Sequence, residues 1–279
     1  MKILFSTTFL ILLISCSAPN TSSNSEEKNL VDNRIIEAEF QTILDSAKVN
    51  GSILIYDPEE DNYYSNDFKW ADNGQLPAST FKIPNSIIAL ETEIVEDDSS
   101  IFYWNGEKRG NKNWEQNLIF KDALQYSCVP CYQEIARSIG VAKMKKYLDL
   151  FNYGSIKVDS SNIDMFWLEG ESRINQFEQI DFLINFHQSS LSISKLTESI
   201  MKRMMIIDKN DNYVVSGKTG WSYSNEKDNG WFVGYIESNQ KTYFFATNIE
   251  PTVQFDINLF AKTRTEVTYE ALKQMKIIK

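Results

Sequence analysis

Apolar and polar residues follow two different spacings along the chain, and each spacing predicts a different element. Across residues 33–48 the apolar side chains recur every three or four positions, which predicts a helix ended by Asn50-Gly51. Residues 51–56 and Tyr63-Tyr64 have the pattern of two short strands, joined by a turn rich in Pro, Asp and Asn. A helix and a strand pair are therefore expected in this part of the chain.

The middle of the chain, residues 79 to about 205, has mostly helical spacing. Helices are predicted at residues 79–93, 132–139 and 141–151. Strand patterns return at residues 213–219, 230–236 and 242–249, and a last helix starts at about Thr263. Strands at both ends with helices between them predict one antiparallel sheet, assembled from both termini and covered by the terminal helices.

This order of elements predicts an α/β (α+β) domain of residues 33–279 with two lobes. The sheet lobe would contain residues 33–78 and 206–279, and the inserted helical lobe would contain residues 79–205. The junction of two such lobes forms a cleft, which is a common place for a ligand site.

The first residues have the pattern of an export signal. Residues 1–15 combine a positive start with an apolar run too short to span a bilayer, which is typical of a secretory signal peptide. Leu13-Ile-Ser-Cys16 resembles the bacterial lipobox, whose cysteine is lipidated; the alternative is a plain signal peptide that happens to contain a cysteine. Residues 16–32 are too polar to fold and predict a lipidated N-terminus with a flexible tether. We expect an exported, periplasmic, membrane-anchored lipoprotein.

Charge and residue counts narrow the candidate chemistry. The net charge of −10 would repel a phosphate backbone, so nucleic acid is not an expected partner. The chain has one histidine, His187, three cysteines and no H-E-x-x-H spacing, so no metal site is expected. A Ser-His-Asp triad would need His187, which lies in an apolar helical run and is interpreted as structural. A hydrolase with this sequence would need a base other than histidine.

Pro77-Ala-Ser79-Thr-Phe-Lys82 places a hydroxyl and an amine three residues apart at a predicted helix start. Such positions share one helical face, so the two groups can face each other. Burial favours the neutral form of a lysine, and a neutral amine can activate a hydroxyl as a nucleophile. Alone the pattern recurs by chance, and an N-cap serine followed by a solvated lysine explains it as well.

Two further motifs give this pair a context. Lys218-Thr-Gly220 follows a predicted strand, and the backbone N–H groups of Trp221 and Ser79 would form a two-donor oxyanion hole. Ser127-Cys-Val129 lies between the other two motifs in the sequence. At this place class A β-lactamases carry S-D-N and transpeptidases carry S-x-N. Valine makes the pocket drier, which lowers the pKa of the lysine further. The three motifs in this order indicate a penicillin-recognising serine enzyme.

From about residue 33 to 275 the sequence resembles the class D (oxacillinase-type) serine β-lactamases. Besides the three motifs, the matching segments are Trp104-Asn-Gly106 with Arg109 and Trp114, Tyr132-Gln-Glu-Ile-Ala-Arg-Ser-Ile-Gly140, Phe166-Trp-Leu-Glu-Gly170 and Gly230-Trp-Phe-Val-Gly234. The resemblance implies a β-lactamase/transpeptidase-like fold. It also implies hydrolysis of penicillin-type antibiotics through a Ser79 acyl-enzyme, which gives antibiotic resistance.

The resemblance further implies how the reaction runs. Lys82 would react with carbon dioxide to form a carbamate (N6-carboxylysine), the general base for acylation by Ser79 and for deacylation, and no other cofactor is expected. Trp167 matches the tryptophan that hydrogen-bonds the carbamate, although a simple core tryptophan is the alternative. Ser127 would pass a proton to the lactam nitrogen, and Lys218 would help to hold the substrate carboxylate.

The implied substrate-binding residues are Thr219, Gly220, Trp221, Arg264, Val129 and Leu168. Thr219 would help to hold the substrate carboxylate, with which Arg264 would pair; an ordinary surface arginine is the alternative. Val129 and Leu168 would line the lysine pocket and limit water access.

Two features depart from the simple picture. The family usually has Tyr-Gly-Asn where this chain has Tyr153-Gly-Ser155, which predicts altered hydrogen bonding of that wall and a modest change in substrate profile. Cys128 and Cys131 lie inside the active-site motif and are interpreted as small buried hydrophobes, with a disulfide still possible on distance.

Other functions remain to be weighed against hydrolysis. A β-lactam sensor or a penicillin-binding protein would acylate without rapid turnover, although a transpeptidase would favour S-x-N over Val129. A binding module with dead chemistry conflicts with the presence of Ser79, Lys82 and Ser127. Carbapenem hydrolysis depends on predicted loops at residues 221–229 and 237–241 and is not readable, nor is the oligomeric state or which membrane is used.

Overall fold

Strands from both ends of the described chain form one seven-stranded sheet. The computed structural model describes residues 33–224 and 226–279. The strands are β1 (Arg34–Ile36), β2 (Val49–Asp57), β3 (Asn62–Ser65), β4 (Ile101–Phe102), β5 (Leu118–Ile119), β6 (Ile206–Lys209), β7 (Tyr213–Ser224), β8 (Lys227–Ser238) and β9 (Lys241–Pro251). Their order in the sheet is β1-β3-β2-β9-β8-β7-β6, and β4 pairs separately with β5. The prediction of a sheet built from both termini is confirmed.

The sheet is mixed rather than antiparallel. β1 runs parallel to β3, whereas all other neighbouring strands of the seven-stranded sheet pair antiparallel. The helical prediction for residues 33–48 was therefore wrong at its beginning, where Arg34–Ile36 form this edge strand. It was also wrong at its end, because Asn50-Gly51 lies inside β2. The helix stops at Ser46, and Lys48 takes the left-handed conformation (φ 57°) that often follows a helix.

Helices cover both faces of the sheet. They are α1 (Ala38–Ser46), α2 (Phe68–Ala71), α3 (Lys82–Glu91), α4 (Phe120–Gln125), α5 (Val129–Phe151), α6 (Gln176–His187), α7 (Lys195–Met204) and α8 (Phe260–Gln274). The predicted helices at residues 132–139 and 141–151 are one assigned element, α5, with non-helical dihedrals at Gly140 (φ 75°, ψ 161°). No helix among the described residues is long and apolar enough to cross a membrane.

The strand β8 shows how the sheet separates two hydrophobic cores. Trp231, Val233 and Tyr235 pack into the core that contains α3, α5 and α6. Phe232 and Ile236 pack on the other face against α1 and α8. This alternation follows from the two-residue period of a strand, and it holds the terminal helices on one face and the inserted helices on the other.

The strands β7 and β8 are longer than predicted and form a hairpin whose last pair is Ser224 with Lys227. Lys218-Thr-Gly220 therefore lies within β7 instead of at its end, and the loop predicted at residues 221–229 is mostly strand. Within β7, Gly220 has a steric function. A Cβ at Gly220 would lie 3.2 Å from Ala78 Cβ and 3.2 Å from Pro77 O, so glycine allows β7 to run against that segment.

Candidate active site

Ser79 and Lys82 meet where a 3-10 turn passes into α3. Ser79 lies in the turn Ala78–Phe81, not in the α-helix that was predicted from this residue onward, and Lys82 is the first residue of α3. The Nζ atom of Lys82 donates a hydrogen bond to Ser79 Oγ over 2.9 Å. The hydroxyl and the amine of the S-x-x-K motif therefore face each other, as the spacing predicted.

Burial changes the chemistry of the lysine. Lys82 is fully buried, and desolvation of its ammonium lowers the pKa to about 7. The ring of Tyr132 on α5 lies beside it, with its centroid 5.1 Å from Nζ. Ser86 Oγ donates to the carbonyl oxygen of Lys82 (2.7 Å) and shares a hydrogen bond with Tyr132 Oη (2.6 Å). At neutral pH this amine is available in its uncharged form.

Trp167 lies behind the serine turn. Its ring stacks on Phe81, with centroids 5.4 Å apart, and its carbonyl oxygen accepts from the N–H of Ala78 (2.8 Å). Its indole Nε1 is buried and has no hydrogen-bond partner within the described residues. A buried donor without an acceptor is unfavourable, so this N–H is suited to an acceptor that enters the site. Leu168 follows it and is half-buried.

Ser127 is held in a left-handed conformation (φ 52°) immediately before α5. It is half-buried, as is Val129 in the first turn of that helix. Cys128 and Cys131 are both buried, as expected, and they form the disulfide that their spacing had left open. The first turn of α5 brings their Cα atoms to 5.4 Å, within the range that a disulfide spans.

Two more basic side chains, Lys218 and Arg264, lie near Lys82. Lys218 is buried on β7, and burial together with the charges of Lys82 and Arg264 holds its pKa well below the usual value. Its Nζ donates to the carbonyl oxygen of the half-buried Thr219 (3.0 Å). Neither Lys218 nor Arg264 forms an ion pair with another described residue. Such a cluster favours an anionic ligand.

Arg264 reaches β7 from α8, where it is the fifth residue. Its Nη1 donates to the carbonyl oxygen of Gly220, its Nη2 donates to Ala261 O (3.2 Å), and its Nε lacks a partner among the residues described. Burial lowers its pKa to about 10. The ring of Trp221 lies 5.6 Å from its Cζ and is partly exposed. Arg264 is therefore a buried residue, which removes the ordinary surface arginine as an interpretation.

The β6 strand pairs with β7 only as far as Ser216. Beyond Ser216, no strand in the described part of the chain pairs with β7 on that side, and this edge packs against the turn that carries Ser79. Backbone groups of β7 and of the serine turn thus border the same space. The Ser79, Lys82, Lys218 and Arg264 side chains are brought together around it.

Two sequence-derived candidates lie elsewhere. His187 ends α6 and packs edge-on against Tyr235, with ring centroids 4.7 Å apart, as its structural interpretation predicted. The side chain of Ser155 is exposed, and its backbone pairs with Arg173. The change in substrate profile expected from this serine stays a prediction. Sequence reasoning missed the contact of Tyr132 with the lysine, for which the only signal was its place one turn after Val129 in α5.

A serine beside a buried lysine, under a strand edge rich in cations, defines the penicillin-recognising serine enzymes as a class. The family described as the penicillin binding protein transpeptidase domain matches residues 45–272. Curated relatives narrow the class. The chain is 39% identical over 231 residues to β-lactamase OXA-48 of Klebsiella pneumoniae, covering 83% of this chain and 85% of the relative. It is 36% identical over 242 residues to OXA-10 of Pseudomonas aeruginosa, covering 86% and 88%.

Solved structures agree. A class D β-lactamase from Sebaldella termitidis is 36% identical with a TM-score of 0.84, covering 88% of this chain and 99% of that chain. The class D enzyme YbXI from Nostoc is 38% identical with a TM-score of 0.82, covering 86% and 99%. The chain belongs to the class D β-lactamase family. The predicted β-lactamase/transpeptidase-like fold and the assignment as a serine β-lactamase are confirmed.

Proposed function

We propose that the protein hydrolyses penicillin-type antibiotics through an acyl-enzyme on Ser79, with Lys82 carboxylated on Nζ. The observation that carries this proposal is the 2.9 Å contact between Ser79 Oγ and the Nζ of the fully buried Lys82. The family membership supports the overall reaction, and the geometry supports the assignment of these two residues.

The residues of the pocket fit a carbamate. Only a neutral amine reacts with carbon dioxide, and burial brings the pKa of Lys82 to about 7. The unpartnered N–H of Trp167 would donate to a carbamate oxygen. When formed, this group supplies an anionic base beside Ser79. Val129 and Leu168 would keep the pocket dry, which preserves the neutral amine.

The remaining residues would position the substrate and move its charges. Ser79 Oγ attacks the lactam carbonyl carbon and loses its proton to the base on Lys82, and the C–N bond breaks. Ser127 passes this proton on to the leaving nitrogen, so that its own hydroxyl is restored. The N–H groups of Ser79 and Trp221 would stabilise the oxyanion. Water then releases the acyl group from Ser79.

The cations at β7 would recognise the substrate carboxylate. Lys218 and Thr219 lie on the strand, and Arg264 is fixed against Gly220 O beside them. A guanidinium offers a forked contact to a carboxylate, which a lysine does not. This arrangement favours anionic β-lactams over neutral analogues.

We further propose that the enzyme gives antibiotic resistance as a periplasmic lipoprotein. Cys16 would carry the lipid after cleavage of residues 1–15, and residues 16–32 would tether the catalytic domain. All of these residues lie outside the part of the chain that the structure describes. The membrane would then be a partner only through the lipid.

Nitrocefin turnover with and without added bicarbonate tests the catalytic proposal. Rapid multiple turnover that rises with bicarbonate is expected, and Ser79→Ala should abolish it. A turnover rate that added bicarbonate does not change, measured in carbon-dioxide-depleted buffer, would contradict a carboxylated Lys82. A single stoichiometric burst that leaves Ser79 acylated would indicate the alternative, a β-lactam sensor or penicillin-binding protein.

A further inference from the structure

The disulfide between Cys128 and Cys131 lies between residues of the active site. Cys128 directly follows Ser127, Cys131 directly precedes Tyr132, and Val129 lies inside the covalent loop. The disulfide therefore closes a small ring between Ser127, the proposed proton donor, and the aromatic wall beside Lys82.

The residue before the disulfide needs support. Ser127 has φ 52°, a conformation that a residue with a side chain keeps only when its surroundings hold it. The N–H of Ser127 donates to Leu124 O (3.1 Å), and that of Cys128 donates to Ala123 O (2.9 Å). These bonds fix the loop to α4, and the disulfide fixes the same loop to the first turn of α5.

The residue after the disulfide reaches the lysine. The N–H of Tyr132 donates to Cys128 O (3.2 Å), and its ring lies 5.1 Å from Lys82 Nζ. Its hydroxyl bonds Ser86 Oγ on α3 (2.6 Å). A shift of the first turn of α5 would therefore move both the Ser127 hydroxyl and the wall beside Lys82.

A role in thiol–disulfide exchange is the other reading of Cys-x-x-Cys at the start of a helix. Cys128 is fully buried and Cys131 is 5% exposed, so a partner thiol has no path to either sulfur in the folded protein. The burial favours a constraint that acts within the domain.

We infer that Cys128 and Cys131 are positioning residues of the active site, whose disulfide holds the Ser127 hydroxyl and the Tyr132 wall of the lysine pocket. This inference rests on the roles proposed for Ser127 and Lys82. It makes full activity depend on an oxidising compartment, because only there does the disulfide persist.

The test compares two proteins, both with Cys16→Ser so that no third thiol interferes. One is otherwise unchanged, and the other carries Cys128→Ala and Cys131→Ala. Nitrocefin kcat and the bicarbonate concentration for half-maximal activity are measured, together with Tm. We expect the double alanine variant to lose about tenfold in kcat and to need more bicarbonate, since small displacements of reacting groups cost one to two orders of magnitude.

Reduction provides an independent measurement if the double variant does not fold. Because both sulfurs are buried in the folded protein, the disulfide-containing protein is unfolded in denaturant with dithiothreitol and refolded in its presence. Cys128 and Cys131 become thiols while the two thiols of dithiothreitol form a cyclic disulfide. The refolded, reduced protein should show the same loss relative to the same protein unfolded and refolded without reductant. The inference would be overturned if kcat and the half-maximal bicarbonate concentration stay unchanged when the disulfide is removed by substitution or by reduction. Two free thiols at Cys128 and Cys131 in unfolded, unreduced protein would also overturn it.

The two proposals fail in different ways. If bicarbonate has no effect on the disulfide-containing protein, the proposal that Lys82 is carboxylated is wrong. A lower kcat in the protein without the disulfide would in that case still support the positioning of Ser127. If bicarbonate acts equally on both proteins and kcat is unchanged, only the positioning role is wrong.

Discussion

A substitution at Trp167 can distinguish two roles of its indole, packing against the core and donation of a hydrogen bond. Trp167→Phe keeps a ring against Phe81 and removes the buried Nε1, which has no acceptor among the described residues. A hydrogen bond to a charged group contributes about 1.5–3 kcal/mol, so kcat should fall about ten- to a hundredfold. The bicarbonate concentration for half-maximal nitrocefin turnover should rise, while Tm changes little.

Trp70→Phe is the matched control, because the Trp70 indole N–H, unlike that of Trp167, has an acceptor in the structure, Asn248 Oδ1 at 2.9 Å, and takes no part in the proposed reaction. That variant should lose stability without changing its bicarbonate demand. If Trp167→Phe shows normal turnover and normal bicarbonate demand, Trp167 is core packing alone.

The charge state of Lys82 gives a second prediction at the scale of one residue. Its pKa is lowered to about 7, so the amine is protonated below this pH and neutral above it. Since the protonated form cannot take up carbon dioxide, kcat without added bicarbonate should fall as pH decreases through about 7. The half-maximal bicarbonate concentration should rise toward tenfold for each pH unit below the pKa.

A pH series of kcat at saturating nitrocefin measures this effect apart from substrate binding. Lys218 also has a lowered pKa, but its proposed contact is with the substrate carboxylate. Protonation of Lys218 should therefore change KM rather than kcat. A kcat that stays constant from about pH 6 to 8 at a fixed, subsaturating bicarbonate concentration would contradict the assignment.

Among the elements, the contact between β8 and α8 is set by a single glycine. A Cβ at Gly230 would lie 2.6 Å from Phe260 Cζ and 2.8 Å from Arg264 Cδ, so a larger residue must displace the helix or the arginine. Gly230→Ala should cost about 1–3 kcal/mol of stability and raise KM for anionic β-lactams more than it lowers kcat.

Gly110→Ala is the control for this substitution, because a Cβ there meets no atom within 4 Å. Thermal unfolding and nitrocefin kinetics of the two variants give the comparison. An unchanged KM in a destabilised Gly230→Ala protein would mean that Arg264 keeps its place without help from this contact.

The same elements show where sequence patterns stop being informative. The two-residue period of β8 and the apolar spacing of α1 are local, and both were readable. The parallel pairing of Arg34–Ile36 with β3 was not, because it depends on a distant segment. Gly51 was predicted to end a helix, yet it lies in a strand, where the backbone of β9 approaches closely.

For the whole molecule, motif spacing predicted the Ser79–Lys82 contact because both residues lie within one turn. It did not predict how β7 and α8 converge on that turn, since their approach is decided by packing of the sheet against the helices. The resemblance to the class D β-lactamases had implied that arrangement, including the place of Arg264 in the site. Neither route predicted that Tyr132 would lie against Lys82 or favoured a disulfide at Cys128.

Anchoring of the whole protein is tested by Cys16→Ser, a substitution outside the described residues. Lipidation needs the thiol, so the variant should move from the membrane pellet to the soluble fraction, with Ser22→Ala in the tether as the control that stays bound. Nitrocefin kcat should be unchanged, because none of the residues proposed for catalysis lies before Asn33. An unchanged distribution would remove the lipid as the anchor, whereas a lost kcat would mean that the leader region contributes to the fold of the catalytic domain.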